Sequence, residues 1–165
     1  MKTAYAHQLL WSARMRKVIK QQFQRWKHRA PEDLDAQFHS AHEHAFAHTN
    51  CLECANCCKT TSPIFKERDI VRIAKYRQVS VSVFTHHHLH RDEDGDWVLN
   101  QAPCPFLQQE DNRCGIYEVR PEACREYPHT DRKNIREILD ITEQNAHLCP
   151  AVSRMMQSIL DGLND

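Results

Sequence analysis

The sequence predicts a mainly α chain with minor β structure, in which helices pack around a loop-built cysteine cluster beside a small two-stranded ribbon at most. Only three of the 165 residues are glycine and helix-forming residues abound, a composition typical of helices. Apolar residues recur at helical spacing near both ends of the chain. Seven of the eight cysteines lie in the middle of the chain, and the eighth lies at the start of the last predicted helix. The run from Cys51 to Cys58 has no apolar period.

The first fifty residues predict two helices without cysteine. One covers Tyr5–Arg29, and Pro31 with the acids after it indicates the start of a second, which runs to about His48. The apolar face of the first helix consists of Leu9, Leu10, Val18, Ile19, Phe23 and Trp26. We interpret residues 1–48 as a helical extension and residues 49–165 as a cysteine-cluster metal-binding domain, the two forming one compact unit.

The cysteine-bearing part predicts further short elements. Ser62-Pro63 is a helix-start signal ahead of an amphipathic helix over Glu67–Tyr76, and Ser80 or Ser82 can cap a helix that runs through Leu89. Trp97–Leu99 predicts a strand with Ile116-Tyr117 as its partner, and Lys133–Asn145 stays ambiguous between strand and helix. Cys149-Pro150 starts the last helix, whose predicted buried face is Val152, Met155, Met156, Ile159 and Leu163.

Charge and hydropathy exclude several function classes. Lys plus Arg and Asp plus Glu both number 22, so the balance gives no evidence for nucleic acid as a partner. No stretch approaches the roughly 18 apolar residues that span a membrane, and the N-terminus is too short and polar for a signal peptide. We therefore expect a cytoplasmic protein without membrane contact, whose thiols stay reduced; a protein partner cannot be identified.

The cysteine spacing indicates metal ligation. Cys51, Cys54, Cys57 and Cys58 form C-x-x-C-x-x-C-C, and a two-residue spacer aims two sulfurs at one ion or cluster. Four more cysteines follow at wider spacing, three of them near proline, which stiffens the loop: Cys104, Cys114, Cys124 and Cys149. The eight thiols fit two tetrathiolate sites or one site with spare thiols. Disulfides, inert core cysteines and a thioredoxin-like exchanger are the weaker alternatives.

These motifs resemble a known family. The C-x-x-C-x-x-C-C run, the Cys-Pro-Phe-Leu at 104–107, the segment from Cys114 to Pro128 and Cys149-Pro150 are similar to the YkgJ-like cysteine-cluster family, described as zinc- or iron-chelating. The resemblance covers about residues 48–160, includes all eight cysteines and implies metal chelation. A related motif occurs in flagellin lysine methylases, where an iron–sulfur cluster is implied; this chain is too short for that enzyme's other parts, so the methylase activity is not transferred.

The predicted cofactor is an iron–sulfur cluster, with [4Fe–4S] as a candidate type, or Zn²⁺. The excess of thiols and the adjacent Cys57-Cys58 pair favour the cluster slightly. Arg120 and Arg125 bracket Cys124 and are predicted to offset the negative charge of a thiolate-bound metal from outside the ligand shell. The function we expect is metal binding with a partly structural role. A redox-active or metal-dependent enzyme of unknown substrate is the alternative, and no catalytic residue can be named.

Histidines are numerous but are predicted to lie mainly on solvated helix faces. His86-His87-His88 resembles a metal tract, yet on a helix these three side chains point in different directions. His44 and His48 form an i, i+4 pair just before Cys51. We favour exposed helix positions for both groups over metal ligation.

Overall fold

The computed structural model describes residues 5–162 and confirms a mainly α chain with one two-stranded sheet in that range. Its longer helices are α1 (Ala6–Arg14), α2 (Arg16–His28), α3 (Leu34–Ala47), α6 (Glu67–Tyr76), α7 (Val81–His88), α9 (Leu139–Asn145) and α10 (Pro150–Gly162). Shorter helices are α4 (Cys51–Cys54), α5 (Asn56–Thr60) and α8 (Glu122–Glu126), and the strands are β1 (Leu89–Arg91) and β2 (Trp97–Leu99).

The described residues divide into two compact units, 5–54 with 128–162 and 55–127. We call them the terminal unit and the central unit. The division differs from the predicted boundary at residues 48 and 49, and whether residues 49–165 fold and bind metal without the preceding helices stays a prediction.

The terminal unit is built on apolar helix faces. Helix α10 packs against α1 and α3, and α2 packs against α9. Phe23, Trp26 and Phe38 are buried and meet edge to face, with ring centroids 5.2 and 5.4 Å apart. Such aromatic pairs add stabilisation beyond the area that they bury.

Polar contacts also fix this helix packing. Ser153 of α10 donates a hydrogen bond to the Gln8 carbonyl at 2.6 Å, and Asp35 accepts from the backbone N–H groups of Asn134 and Ile135 at 2.7 and 2.9 Å. These bonds satisfy backbone groups that burial would otherwise leave without a partner.

The central unit has its own core. Helices α6 and α7 and the hairpin bury a cluster that consists of Phe65, Ile70, Ile73, Ala74, Phe84, Leu89, Leu99, Phe106 and Ile116, and the half-buried Cys104 and Cys114 pack against it. Ser80 caps α7 as predicted, because its hydroxyl accepts from the Val83 N–H at 3.2 Å.

Several local predictions were wrong. The helix over Tyr5–Arg29 is interrupted at Met15, so that Val18 and Leu10 are exposed. The partner of β2 is Leu89–Arg91 and not Ile116-Tyr117, which enters a 3₁₀ turn over Tyr117–Val119. A tight turn at Asp92–Gly95 brings β1 beside β2, and local pairing of this kind costs less chain entropy than a distant partner does.

Other differences concern boundaries. The amphipathic helix predicted over Glu67–Tyr76 is confirmed with the same bounds, and Phe65 pairs with Trp97 between Ser62-Pro63 and the start of that helix. The ambiguous segment is helical, with a 3₁₀ turn over Ile135–Ile138 followed by α9. The buried face of α10 is confirmed except at Leu163, which lies outside the described residues.

Candidate metal centre

The eight cysteines are thiols in the structure and fall into two groups. The terminal unit contains Cys51, Cys54 and Cys149. The central unit contains Cys57, Cys58, Cys104, Cys114 and Cys124. The C-x-x-C-x-x-C-C motif itself is helical rather than a loop, because Cys51 and Cys54 belong to α4 while Cys57 and Cys58 belong to α5.

The break between these two helices lies at Ala55, whose φ of 47° puts it in the left-handed region. A non-glycine residue in this conformation is uncommon and ends a regular helix. The Ala55 kink therefore separates the first pair of motif cysteines from the second pair.

Backbone pairing connects α5 to the first wide-spaced cysteine. The Cys104 N–H donates to the Cys58 carbonyl at 2.7 Å. Nearby, the Lys59 ammonium donates to the Asn112 side chain at 2.7 Å. Residues that are 46 or more positions apart in the chain are thereby held together around Cys58.

A small hairpin-like loop carries Cys104 and Cys114. The Gly115 N–H donates to the Phe106 carbonyl at 2.8 Å, and Leu107 and Cys114 form a β-bridge. The N–H groups of Phe106 and Leu107 hydrogen-bond to the Cys104 thiol, and the Ile116 N–H to the Cys114 thiol. Backbone donors at sulfur stabilise a thiolate, which is the form that binds metal.

A buried ion pair positions the segment that leads to Cys124. Asp69 is fully buried and pairs with Arg72 at 2.6 Å. It also accepts from the N–H of Glu122 at 3.3 Å, while Arg72 donates to the Arg120 carbonyl at 2.9 Å. Helix α6 thus holds the start of α8, on which Cys124 lies.

The thiols of the central unit influence one another electrostatically. Burial raises the pKa of Cys124 to about 12, and negative charge on Cys58, Cys104 and Cys114 raises it further. Burial likewise raises the pKa of Cys104 to about 11, and burial also raises the pKa of Cys114. Negative charge on Cys58 adds to the rise of both pKa values. The charge on Cys58 thus acts on the other three thiols of this unit.

Cys58 has the opposite shift. A hydrogen bond with the Cys57 side chain lowers the pKa of Cys58 to about 7, and the Lys59 charge acts in the same direction, against the effect of burial. Cys58 is therefore the thiol of this group that ionises first.

The terminal unit holds a smaller group. Cys51 and Cys54 are three residues apart on α4, so they share one helix face. Burial raises the pKa of Cys149 to about 12, and charges on Cys51 and Cys54 add to that rise. The N–H groups of Ala151 and Val152 hydrogen-bond to the Cys149 thiol, at the N-terminus of α10.

Cysteine sulfur is a donor that suits a soft metal ion or an iron–sulfur cluster. The cysteine side chains do not, however, form a closed ligand shell in the described structure. Within residues 5–162, no three His, Cys, Asp or Glu side chains are grouped so that they could hold a metal ion. Metal binding would therefore require the thiols to come closer together.

The two predicted arginines differ in position. The Arg120 guanidinium stacks on the Tyr117 ring, 3.9 Å from its centroid, and its charge lowers the pKa of both Cys114 and Cys124. Arg125 instead donates to the Arg120 carbonyl at 3.3 Å. A role of either residue towards a metal stays a prediction.

The histidine groups make contacts of their own. The His44 and His48 rings lie 4.9 Å apart, and His48 hydrogen-bonds to the His44 carbonyl. His86, His87 and His88 end α7 as a series of ring contacts. None of these rings belongs to a metal-holding group in the described part of the chain.

Sequence reasoning missed two residues that shape the site. Lys59 follows Cys58 directly in the sequence, so a positive charge that lowers the pKa of Cys58 could have been predicted from that adjacency. Asp69 looked like an ordinary first-turn acid of α6, and only the fold reveals that it anchors a segment more than fifty residues away.

The fold and thiol groups together define a cysteine-rich, mainly helical protein. Residues 50–150 match the family model CxxCxxCC, "Putative zinc- or iron-chelating domain". The chain belongs to this family, as the resemblance in its motifs predicted. The family description supports metal binding, with zinc or iron as the metal.

A search of curated proteins gives one weak likeness. An uncharacterized protein of the archaeon Methanocaldococcus jannaschii is 26% identical over 83 residues, which are 49% of this chain and 44% of that protein. The chain thus spans less than half of that relative's length. No solved structure matches the chain. Among residues 5–162, none of the helices combines the length and apolar character needed to cross a bilayer.

Proposed function

We propose that the chain binds iron or zinc through its cysteines and that the principal centre lies in the central unit. The proposed ligands are Cys58, Cys104, Cys114 and Cys124, with Cys57 beside them. The observation that carries this proposal is the placement of these thiols in one unit, where the Cys104 N–H donates to the Cys58 carbonyl and charge on Cys58 raises the pKa of the other three. Thiols so placed within one unit can supply the four sulfurs that zinc or an iron–sulfur cluster requires.

The remaining cysteines form a second group in this proposal. Cys51, Cys54 and Cys149 contribute three sulfurs in the terminal unit. The surplus of thiols over one tetrathiolate site favours an iron–sulfur cluster over a single zinc ion, as it did from the sequence. Arg120 would offset part of the negative charge of a loaded centre, and Arg125 would support the Arg120 loop.

We also propose that the metal is partly structural. The segment from Cys104 to Tyr127 has only short helices and β-bridges of its own. Ordering a backbone costs about 1–2 kcal/mol per residue, and metal binding contributes directly to the folding free energy. Three ligands from this segment would therefore stabilise it. The alternative of a redox or metal-dependent enzyme stays a prediction.

Metal and acid-labile sulfide analysis of the anaerobically purified chain tests this function. We expect at least one metal ion or cluster per chain; sulfide and visible charge-transfer absorption would identify a cluster, and zinc without sulfide would identify a tetrathiolate. Cys124→Ser should empty the central centre and lower the melting temperature. Cys149→Ser is the matched control, since it removes an even more buried thiol from the terminal unit and should leave that centre loaded.

Two results would contradict the proposal. One is a folded wild-type chain that holds neither iron nor zinc after anaerobic purification. The other is full metal occupancy with an unchanged melting curve in Cys124→Ser, which would remove that loop from the ligand set.

A further inference from the structure

A cavity of about 420 Å³ lies in the central unit, apart from the cysteines. Part of its lining is apolar and is formed by Val79, Val83, Phe84 and Pro105. The volume is within the range of small-molecule sites, which combine an apolar wall with a few polar groups.

Hydrogen-bond donors line the same cavity. Arg77, His88 and Gln101 are among the lining residues, and no acidic residue is found among the described residues that line it. Cationic and amide donors together with apolar lining residues are the features that hold an anion with an apolar body.

Arg77 differs from the other arginines that bear on this unit. The carboxylate partners of Arg68, Arg72, Arg91 and Arg113 are Glu122, Asp69, Glu67 and Asp111. Arg120 and Arg125 donate to backbone carbonyls. For the Arg77 guanidinium, the described residues provide neither a carboxylate nor a carbonyl within bonding distance. Its position after α6 suits the negative end of the helix dipole, but the dipole does not account for the other donors that line the cavity.

The charge of the cavity points to a monoanion. The pKa of His88 is lowered by burial and by the charges of Arg77 and His87, so its ring is neutral at pH 7. Arg77 then supplies the one permanent positive charge of the wall. A single guanidinium matches a carboxylate better than it matches a phosphate dianion.

We propose that this cavity binds a small organic monocarboxylate, whose carboxylate pairs with Arg77 and whose apolar or aromatic body lies against Val83 and Phe84. The site lies beside the loop that carries Cys104. Pro105 forms part of its wall, and the Phe106 ring lies 6.0 Å from Phe84 and 5.0 Å from His88, measured between centroids. The binding itself does not depend on a metal.

Saturation-transfer NMR on the full chain tests the proposal, with benzoate as the probe and benzamide as its neutral analogue. We expect a dissociation constant on the order of 1 mM for benzoate, as suits one ion pair and one ring, and no measurable binding of benzamide. Arg77→Gln should weaken benzoate binding by about tenfold or more. Lys75→Gln is the matched control, because it removes one positive charge from the same helix outside the cavity and should leave the affinity unchanged.

A second variant tests the apolar side. Val83 is exposed, so Val83→Glu should keep the fold, place a negative charge in the cavity and abolish benzoate binding. The melting curve of each variant checks folding. Equal benzoate affinity in wild type and Arg77→Gln, equal binding of benzamide, or no saturation transfer from wild type would overturn the proposal. Metal analysis of the same samples reports separately on the cysteine centre.

Discussion

Replacement of Asp69 by alanine should destabilise the central unit and disturb the Cys124 segment. The Asp69 carboxylate is fully buried and makes three contacts: with the Arg72 guanidinium at 2.6 Å, the Lys66 N–H at 3.1 Å and the Glu122 N–H at 3.3 Å. Alanine removes both acceptor oxygens, and with them all three contacts, and leaves the partly exposed Arg72 guanidinium without its carboxylate partner.

The size of the effect follows from these contacts. Loss of one member of a buried ion pair costs about 3–5 kcal/mol, although Arg72 is partly exposed and water can solvate it. We therefore expect a loss of about 3 kcal/mol in the free energy of unfolding. For a chain of this length, that corresponds to a fall of about 10 °C in the melting temperature.

Thermal and urea unfolding of the metal-loaded chain measure this loss, and metal analysis shows whether Cys124 still contributes. Glu67→Ala is the matched control, because Glu67 lies in the same helix and pairs with Arg91 at 3.4 Å, but its side chain is 73% exposed. It should cost less than about 1 kcal/mol. A loss below about 1 kcal/mol for Asp69→Ala would refute the anchoring role.

Three further predictions address the thiols and the units. In metal-free protein at pH 7, iodoacetamide should label Cys58 before Cys124, because it reacts with the thiolate and the pKa values are about 7 and about 12. Peptide mass spectrometry measures the order of labelling, and the reverse order would contradict this prediction. Arg120→Ala should weaken metal binding more than Arg125→Ala, since of the two only the Arg120 charge lowers the pKa of Cys124. Competition with a chelator measures the metal affinity of each variant, and equal affinities would contradict this prediction. A fragment from Thr49 should bind metal at the central thiols yet melt lower, because α10 loses α1 and α3; loss of all metal from a folded fragment would contradict it.

The regular helices were predictable because their signals are local. Helix α10 has an apolar face over its whole length, and Ser80 caps α7 by a bond that spans three residues. The sequence also contained the turn at Asp92–Gly95, which pairs β1 with β2. Ile116 and Tyr117 both favour strands, so their composition indicates a strand partner, although the nearer segment closes a shorter loop.

The site was predictable in its residue types but not in its grouping. The spacing identified all eight cysteines as candidates, yet it could not show that Cys54 and Cys57 fall into different units. That separation follows from the left-handed Ala55, a conformation for which alanine gives no sequence signal. The Cys58–Cys104 backbone bond and the Asp69 anchor also join distant segments, and contacts of this kind depend on the folded chain.

The last prediction concerns protons, since a thiol must lose its proton to bind metal. In the metal-free central unit at pH 7, Cys104, Cys114 and Cys124 are protonated because burial raises the pKa of each, and Cys58 is about half ionised because its pKa is about 7. Binding of Zn²⁺ by all four should therefore release about 3.5 protons at pH 7. At pH 9 Cys58 is already ionised, so the release should be smaller than at pH 7.

Acid must weaken binding, because protons compete with the metal for the same sulfurs. Calorimetric titration of Zn²⁺ in two buffers of different ionisation enthalpy gives the number of protons released. The Cys51→Ser, Cys54→Ser, Cys149→Ser triple variant isolates the central unit and serves as the protein for this measurement. Release of two protons or fewer at pH 7 would show that at least one of the four thiols is not a ligand, and the proposed ligand set would then have to be reduced.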